Sequence, residues 1–193
     1  MNMGKTEALE TKKEEVEHKL TLMGGDMIKM EYLENCLKKQ LPFDTKKFVH
    51  TKLSALYEAR LMTGAAARNM KEVIELTASP KEKKDAYLKT IELMIKEGNL
   101  LGAEDLLNKA LGSINSLIEK HEYKERMNQM YENEALKLEK TGRVNHATKI
   151  YERIFATDTN NITIIKKLAQ NYTRLGKIRE SINMQNILKN KGF

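Results

Sequence analysis

Residues 131–154, YENEALKLEKTGRVNHATKIYERI, decide the fold. Tyr131, Ala135 and Leu138 fall at helical spacing before Gly142, and Ala147, Tyr151 and Ile154 fall at helical spacing after it. A glycine between two such stripes reads as a corner, because it can take the left-handed backbone conformation that ends one helix and turns the chain into another. A small residue early in the second helix, here Ala147, lets the two backbones approach closely.

Working outward, glycines recur at Gly64, Gly98, Gly142 and Gly176, separated by 34, 44 and 34 residues. Aligned on them, Leu53, Tyr87, Tyr131 and Ile165 stand eleven residues before, and Arg60, Met94, Leu138 and Tyr172 four before. After each glycine come Asn69, Ala103, Ala147 and Ser181 at five residues, and Val73, Leu107, Tyr151 and Gln185 at nine. A helical bundle whose glycines coincide by chance is the competing explanation, and agreement at several offsets weighs against it. The spacing of 44 implies ten extra residues between Leu111 and Asn128. Ser113 to Tyr123 reads as continued helix, lengthening the second hairpin's outer helix, the following inner helix or both, with a charged projection around Glu119 to Arg126.

These residues resemble the tetratricopeptide repeat family. The third hairpin carries the match through Tyr131, Ala135, Leu138, Gly142, Ala147, Tyr151 and Ile154. The fourth is similar through Ile165, Leu168, Ala169, Tyr172, Gly176, Ser181 and Leu188. The first is degenerate, with Tyr57 where the family has a small residue and Arg60 where it has a large apolar one. The resemblance implies an all-α fold, a right-handed α-α superhelix of stacked antiparallel helix hairpins, with about four hairpins over residues 46–193. It also implies a concave groove lined by the first helix of each hairpin.

Residues 1–45 read as a separate N-terminal helical segment, a cap, a degenerate hairpin or a docking arm. Thr6 to Met23 has Leu9, Val16, Leu20 and Met23 on one stripe and ends at Gly24-Gly25. Met27 to Leu41 has Met30, Leu33, Leu37 and Leu41 on one face and ends before Pro42, which drives its predecessor out of helical dihedrals. The nearby Met23, Met27 and Met30 read as core filling, and the lone Cys36 as a small core hydrophobe.

The 193 residues carry 34 Lys and Arg against 27 Asp and Glu, and residues 160–193 hold seven basic side chains and one acid, Glu180. No stretch approaches the length of a membrane span and Met1 to Lys19 lacks a signal-peptide core, so a cytoplasmic protein is expected. No phosphate-binding loop is present, and His18, His50, His121 and His146 lack metal-ligand spacing. The expectation is a protein without catalytic residues, cofactor or metal.

Groove-facing positions taken from the resemblance include Glu58, Asp85, Leu88, Glu92, Glu132, Leu136, Glu139, Lys166 and Gln170, with Arg174 nearby. Five carboxylates against a basic fourth hairpin give a bipolar groove, suited to a protein or peptide partner that carries Lys or Arg in its acidic part. The alternative is a nucleic-acid-binding protein using Lys166, Lys167, Arg174, Lys177, Arg179, Lys189 and Lys191. Ile178, Ile182, Ile187 and Leu188 on the last helix add a homodimer as a further expectation.

Overall fold

A computed structural model describes residues 9–192; among them are ten helices and no strand. The helices are α1 (Lys13–Leu22), α2 (Asp26–Leu37), α3 (Phe43–Ala59), α4 (Thr63–Leu76) and α5 (Pro80–Glu97). They continue with α6 (Leu100–Gly112), α7 (Leu117–Lys140), α8 (Val144–Thr157), α9 (Ile162–Arg174) and α10 (Ile178–Asn190). Neighbours along the chain pack on one another, α3 on α4 and α4 on α5, then α7 on α8, α8 on α9 and α9 on α10. The chain forms two compact units: unit 1 runs through residue 97 and takes in 102–110, and unit 2 holds 98–101 and everything from 111.

The corners explain the hairpins. Gly98, Gly142 and Gly176 stand between helices with φ of 86°, 77° and 71°, as the sequence led one to expect. At Gly142 the next amide, Arg143 N, donates to Leu138 O at 2.8 Å, while Gly142 N donates to Glu139 O at 3.1 Å. At Gly176, Lys177 N donates to Tyr172 O at 2.9 Å and Gly176 N to Thr173 O at 3.1 Å. Both are the paired closing bonds of a Schellman turn, which satisfy carbonyls the helix end would leave unbonded.

The first corner is not at Gly64. Gly64 lies inside α4, and the left-handed position falls on Leu61, with φ of 60°. Met62 N donates to Tyr57 O and Leu61 N to Glu58 O, both at 2.9 Å, reproducing the bonds of the two glycine corners. The frame of the first hairpin therefore moves back three residues, which removes the mismatches at Tyr57 and Arg60 and leaves His50 eleven before the corner, where the others have Tyr87, Tyr131 and Ile165. Tyr57 now stands four before its corner, matching Met94, Leu138 and Tyr172, and Ala66 stands five after, matching Ala103, Ala147 and Ser181. All four of those later residues are buried. The helices of a hairpin meet at this point: Ser54 Oγ donates to Ala66 O across the first, and Ser181 Oγ to Ala169 O across the last, each at 3.0 Å. In the corrected frame the two pairs occupy the same two positions, with the serine on opposite helices.

α1 and α2 pack on α3 through Val16, Leu20, Met30, Leu33, Cys36, Val49 and Leu53. α1 starts at Lys13, later than the expected Thr6, and part of that expectation falls outside the described residues; Leu9 is exposed. α2 ends at Leu37 and not Leu41, and residues 38–41 lead the chain to Pro42, the N-cap of α3. Met30 is buried but Met27 is exposed, so the expected methionine filling is only partial. Burial pushes the Cys36 thiol up, as suits a core position.

The ten extra residues lengthen one helix only. α6 stops at Gly112, and residues 113–116, expected as helix, form a break that Ser116 turns into an N-cap by accepting from Glu119 N at 3.3 Å. α7 takes up the insertion as a helix of 24 residues, with Tyr123, Met127 and Tyr131 buried one turn apart and His121, Glu122, Lys124, Glu125 and Arg126 exposed.

Candidate functional site

The groove expectation makes the first helix of each hairpin the place to look. In unit 1 these are α3 and α5, and ion pairs tie them side by side. Lys47 Nζ near the start of α3 lies 2.8 Å from Glu82 near the start of α5, so the two helices run in the same direction. Toward their other ends, Glu58 lies 2.8 Å from Lys89 and 2.9 Å from Lys96, and Glu92 lies 3.1 Å from Lys89 and 2.6 Å from Lys96. Two carboxylates and two ammonium groups thus close a ring of alternating charge. Burial raises the carboxyls of Glu58 and Glu92, but the hydrogen bonds and charges of both lysines outweigh it and hold them below the usual range. Lys96 responds in the opposite sense: burial lowers it, and the two carboxylates carry it above its ordinary value.

Unit 2 repeats the tie. Lys167 of α9 lies 2.7 Å from Glu139 of α7. Counted from the corners Leu61, Gly98, Gly142 and Gly176, Glu58 and Glu139 both stand at position −3, and Lys89 and Lys167 both at −9. One hairpin's glutamate binds the next inner helix's lysine at matching positions in both units. This correspondence exists only in the corrected frame, which it supports from side-chain geometry independent of the backbone turns.

The expected site residues separate accordingly. Glu58, Glu92 and Glu139 are already paired by lysines of their own units, so these three have little charge left for a basic ligand. Asp85 is exposed and Glu132 half-buried. Leu88, at 7 % exposure, is a packing residue of unit 1 and lines no open face. On unit 2, Leu136 is 40 % exposed, and Lys166, Gln170 and Arg174 are exposed along α9 and its end.

The remaining chemistry is structural. Tyr172, the aromatic nearest the basic C-terminal residues, is buried and donates to Glu152 Oε1 at 2.9 Å, with Lys177 over its ring at 5.6 Å. Burial and that carboxylate push its hydroxyl up, and the ring offers no open stacking surface to a base. His50 Nδ1 sits 2.9 Å from Asn69 Oδ1 within the first hairpin. Among the described residues no group of three or more His, Cys, Asp or Glu could hold a metal ion. No helix among them is long and apolar enough to cross a membrane. The spacing of Lys89 and Lys167 is readable in the sequence, but the correspondence of Glu58 with Glu139 is not, because it is counted from the left-handed Leu61. Comparison of the chain with protein-family models and with curated proteins gives no match.

Proposed function

We propose that the chain is a tetratricopeptide-like scaffold, a right-handed superhelix of stacked hairpins that binds a partner protein or peptide on the faces of its inner helices. The observation that carries this reading is the recurring Glu at −3 to Lys at −9 tie, 2.8 Å in unit 1 and 2.7 Å in unit 2. Within each unit such a tie sets one inner helix beside the next, which supports taking the side away from the outer helices as the binding face. The exposed residues of that face in unit 2 are Gln129 and Leu136 on α7 and Thr163, Lys166, Gln170 and Thr173 on α9. Their mixture of one apolar anchor with polar neighbours suits a peptide or protein surface.

The test is capture of partners from native lysate with the wild-type chain and with Leu136→Glu/Gln170→Glu, with and without nuclease. Both positions are exposed, so the double variant should keep its helical circular dichroism. The expected result is a nuclease-resistant protein partner whose recovery falls about tenfold or more with the variant. Capture that disappears with nuclease, or that is indifferent to both substitutions, would remove the basis for the reading.

A further inference from the structure

We infer that the cleft between α1 and α3 is a docking site for an internal acidic segment of a partner protein, whose Asp or Glu side chains reach Lys52 and Lys13. The inference rests on the inner-helix face being the binding face, and adds where on it a partner sits and what chemistry it brings.

The starting point is a position whose counterparts are filled elsewhere in the same chain. Lys89 and Lys167 stand at −9 from their corners, and each holds a glutamate of the preceding inner helix. Lys52 is at −9 from Leu61, the same position on α3. Among the described residues no carboxylate lies within ion-pair distance of it. Its Nζ instead stands 5.2 Å from the ring centre of Phe48, and Lys13 of α1 approaches the same ring at 5.7 Å. The ring face attracts each cation but removes the charge of neither. Two ammonium groups on one aromatic ring, neither in an ion pair among the described residues, form a ready receptor for a carboxylate.

Space accompanies the charge. A cleft of about 560 Å³ is lined by Lys12, Lys13, Phe48 and Thr51 among others, and a second hollow of about 350 Å³ by Thr21, Lys52, Ala55 and Leu56 among others. In the corrected frame Phe48, Thr51, Lys52 and Ala55 are at −13, −10, −9 and −6, the run of the inner-helix face. Half-buried Phe48 and exposed Ala55 offer apolar contact between the lysines.

The acids present select among anions. Glu14 and Asp44 line the first cleft and Glu17 the second. Lys12, Lys13, Lys29, Lys47 and Lys52 alternate with these three carboxylates, so a phosphate on every residue of a nucleic-acid backbone would meet acids as well as lysines, whereas a peptide can place one or two acidic side chains on Lys52 and Lys13 and neutral residues beside Glu14 and Glu17. An acidic peptide is therefore favoured over nucleic acid.

The experiment selects a random dodecapeptide display library on the full chain. Enriched peptides are then synthesised with both ends capped and titrated against wild type, Lys13→Glu/Lys52→Glu and Lys13→Gln/Lys52→Gln. The expected result is enrichment in Asp or Glu, amide shifts at Phe48, Thr51 and Ala55, and affinity lowered about tenfold or more by the Glu pair and less by the Gln pair. The Gln pair also serves if charge reversal disturbs folding. Peptides without acids, or acidic peptides that bind both variants as well as wild type, would overturn the site. If such peptides are lost instead with Leu136→Glu/Gln170→Glu, the inner-face reading stands and this cleft is wrong; if they are indifferent to that variant as well, both readings fall together.

Discussion

Leu61 carries the left-handed conformation that glycine supplies at the other three corners. A leucine Cβ in that conformation crowds the following carbonyl at a cost of roughly 1–2 kcal/mol. Its side chain is 84 % exposed and recovers little by burial. Leu61→Gly should therefore raise stability by about 1 kcal/mol, less the extra freedom glycine has in the unfolded chain, and Gly142→Ala should lower it by about as much. Urea midpoints of the two variants check both signs; a Leu61→Gly midpoint below wild type would mean the leucine makes a contact that outweighs its strain. The same residue explains what the sequence concealed. A glycine announces a corner by its identity, and a left-handed leucine leaves no mark, so the eye settles on Gly64. Yet the mismatch was itself legible: Tyr57 and Arg60 stood in the wrong positions, and a shift of three residues would have put Ser54, Tyr57 and Ala66 in the right ones.

Helices and their ties come next. That every described element is helical followed directly from spacing, and the ends followed where the chemistry was local, at Gly98, Gly142 and Gly176. What spacing could not provide was the break at residues 113–116, where a polar, helix-compatible stretch yields to a serine cap, or the partners of the groove acids. The ring of Glu58, Lys89, Glu92 and Lys96 makes a signed prediction. Carboxyls held low when folded contribute stability that is present above their unfolded value and lost as pH falls below the ordinary carboxylate range and through the folded one. Lys96, raised when folded, contributes below its unfolded value and loses that contribution as pH rises through the folded one. Lys96→Met should lower stability by about 1 kcal/mol at neutral pH, a figure kept small because the ring side chains are 26–37 % exposed. It should also flatten the acid dependence of stability, followed by urea denaturation at a series of pH values. An acid limb as steep in Lys96→Met as in wild type would show that other carboxylates set it.

On the scale of the whole molecule, charge is divided unequally. Unit 1 has 19 basic and 18 acidic residues, while unit 2 has 15 and 9, so nearly all of the net +7 belongs to unit 2. Its last helix exposes Ile178 and Ile182 one turn apart, with Ile187 and Leu188 half-buried, among Lys177, Arg179, Lys189 and Lys191. Two partners have been suggested for this end, a second copy of the chain and nucleic acid, and salt separates them. Copies meeting through α10 bring like charges together around an apolar contact, so screening should strengthen the association. A nucleic acid is held by the same lysines and arginines, and its affinity must fall steeply as salt rises. Two exposed isoleucines bury far less than a stable dimer requires, so self-association should emerge only at high micromolar concentration. Sedimentation at low and at roughly physiological salt should then show a dimer fraction that grows with salt and vanishes in Ile182→Glu. A fraction that shrinks with salt would exclude an apolar α10 contact as its cause, since neither screening nor the hydrophobic effect could give that sign.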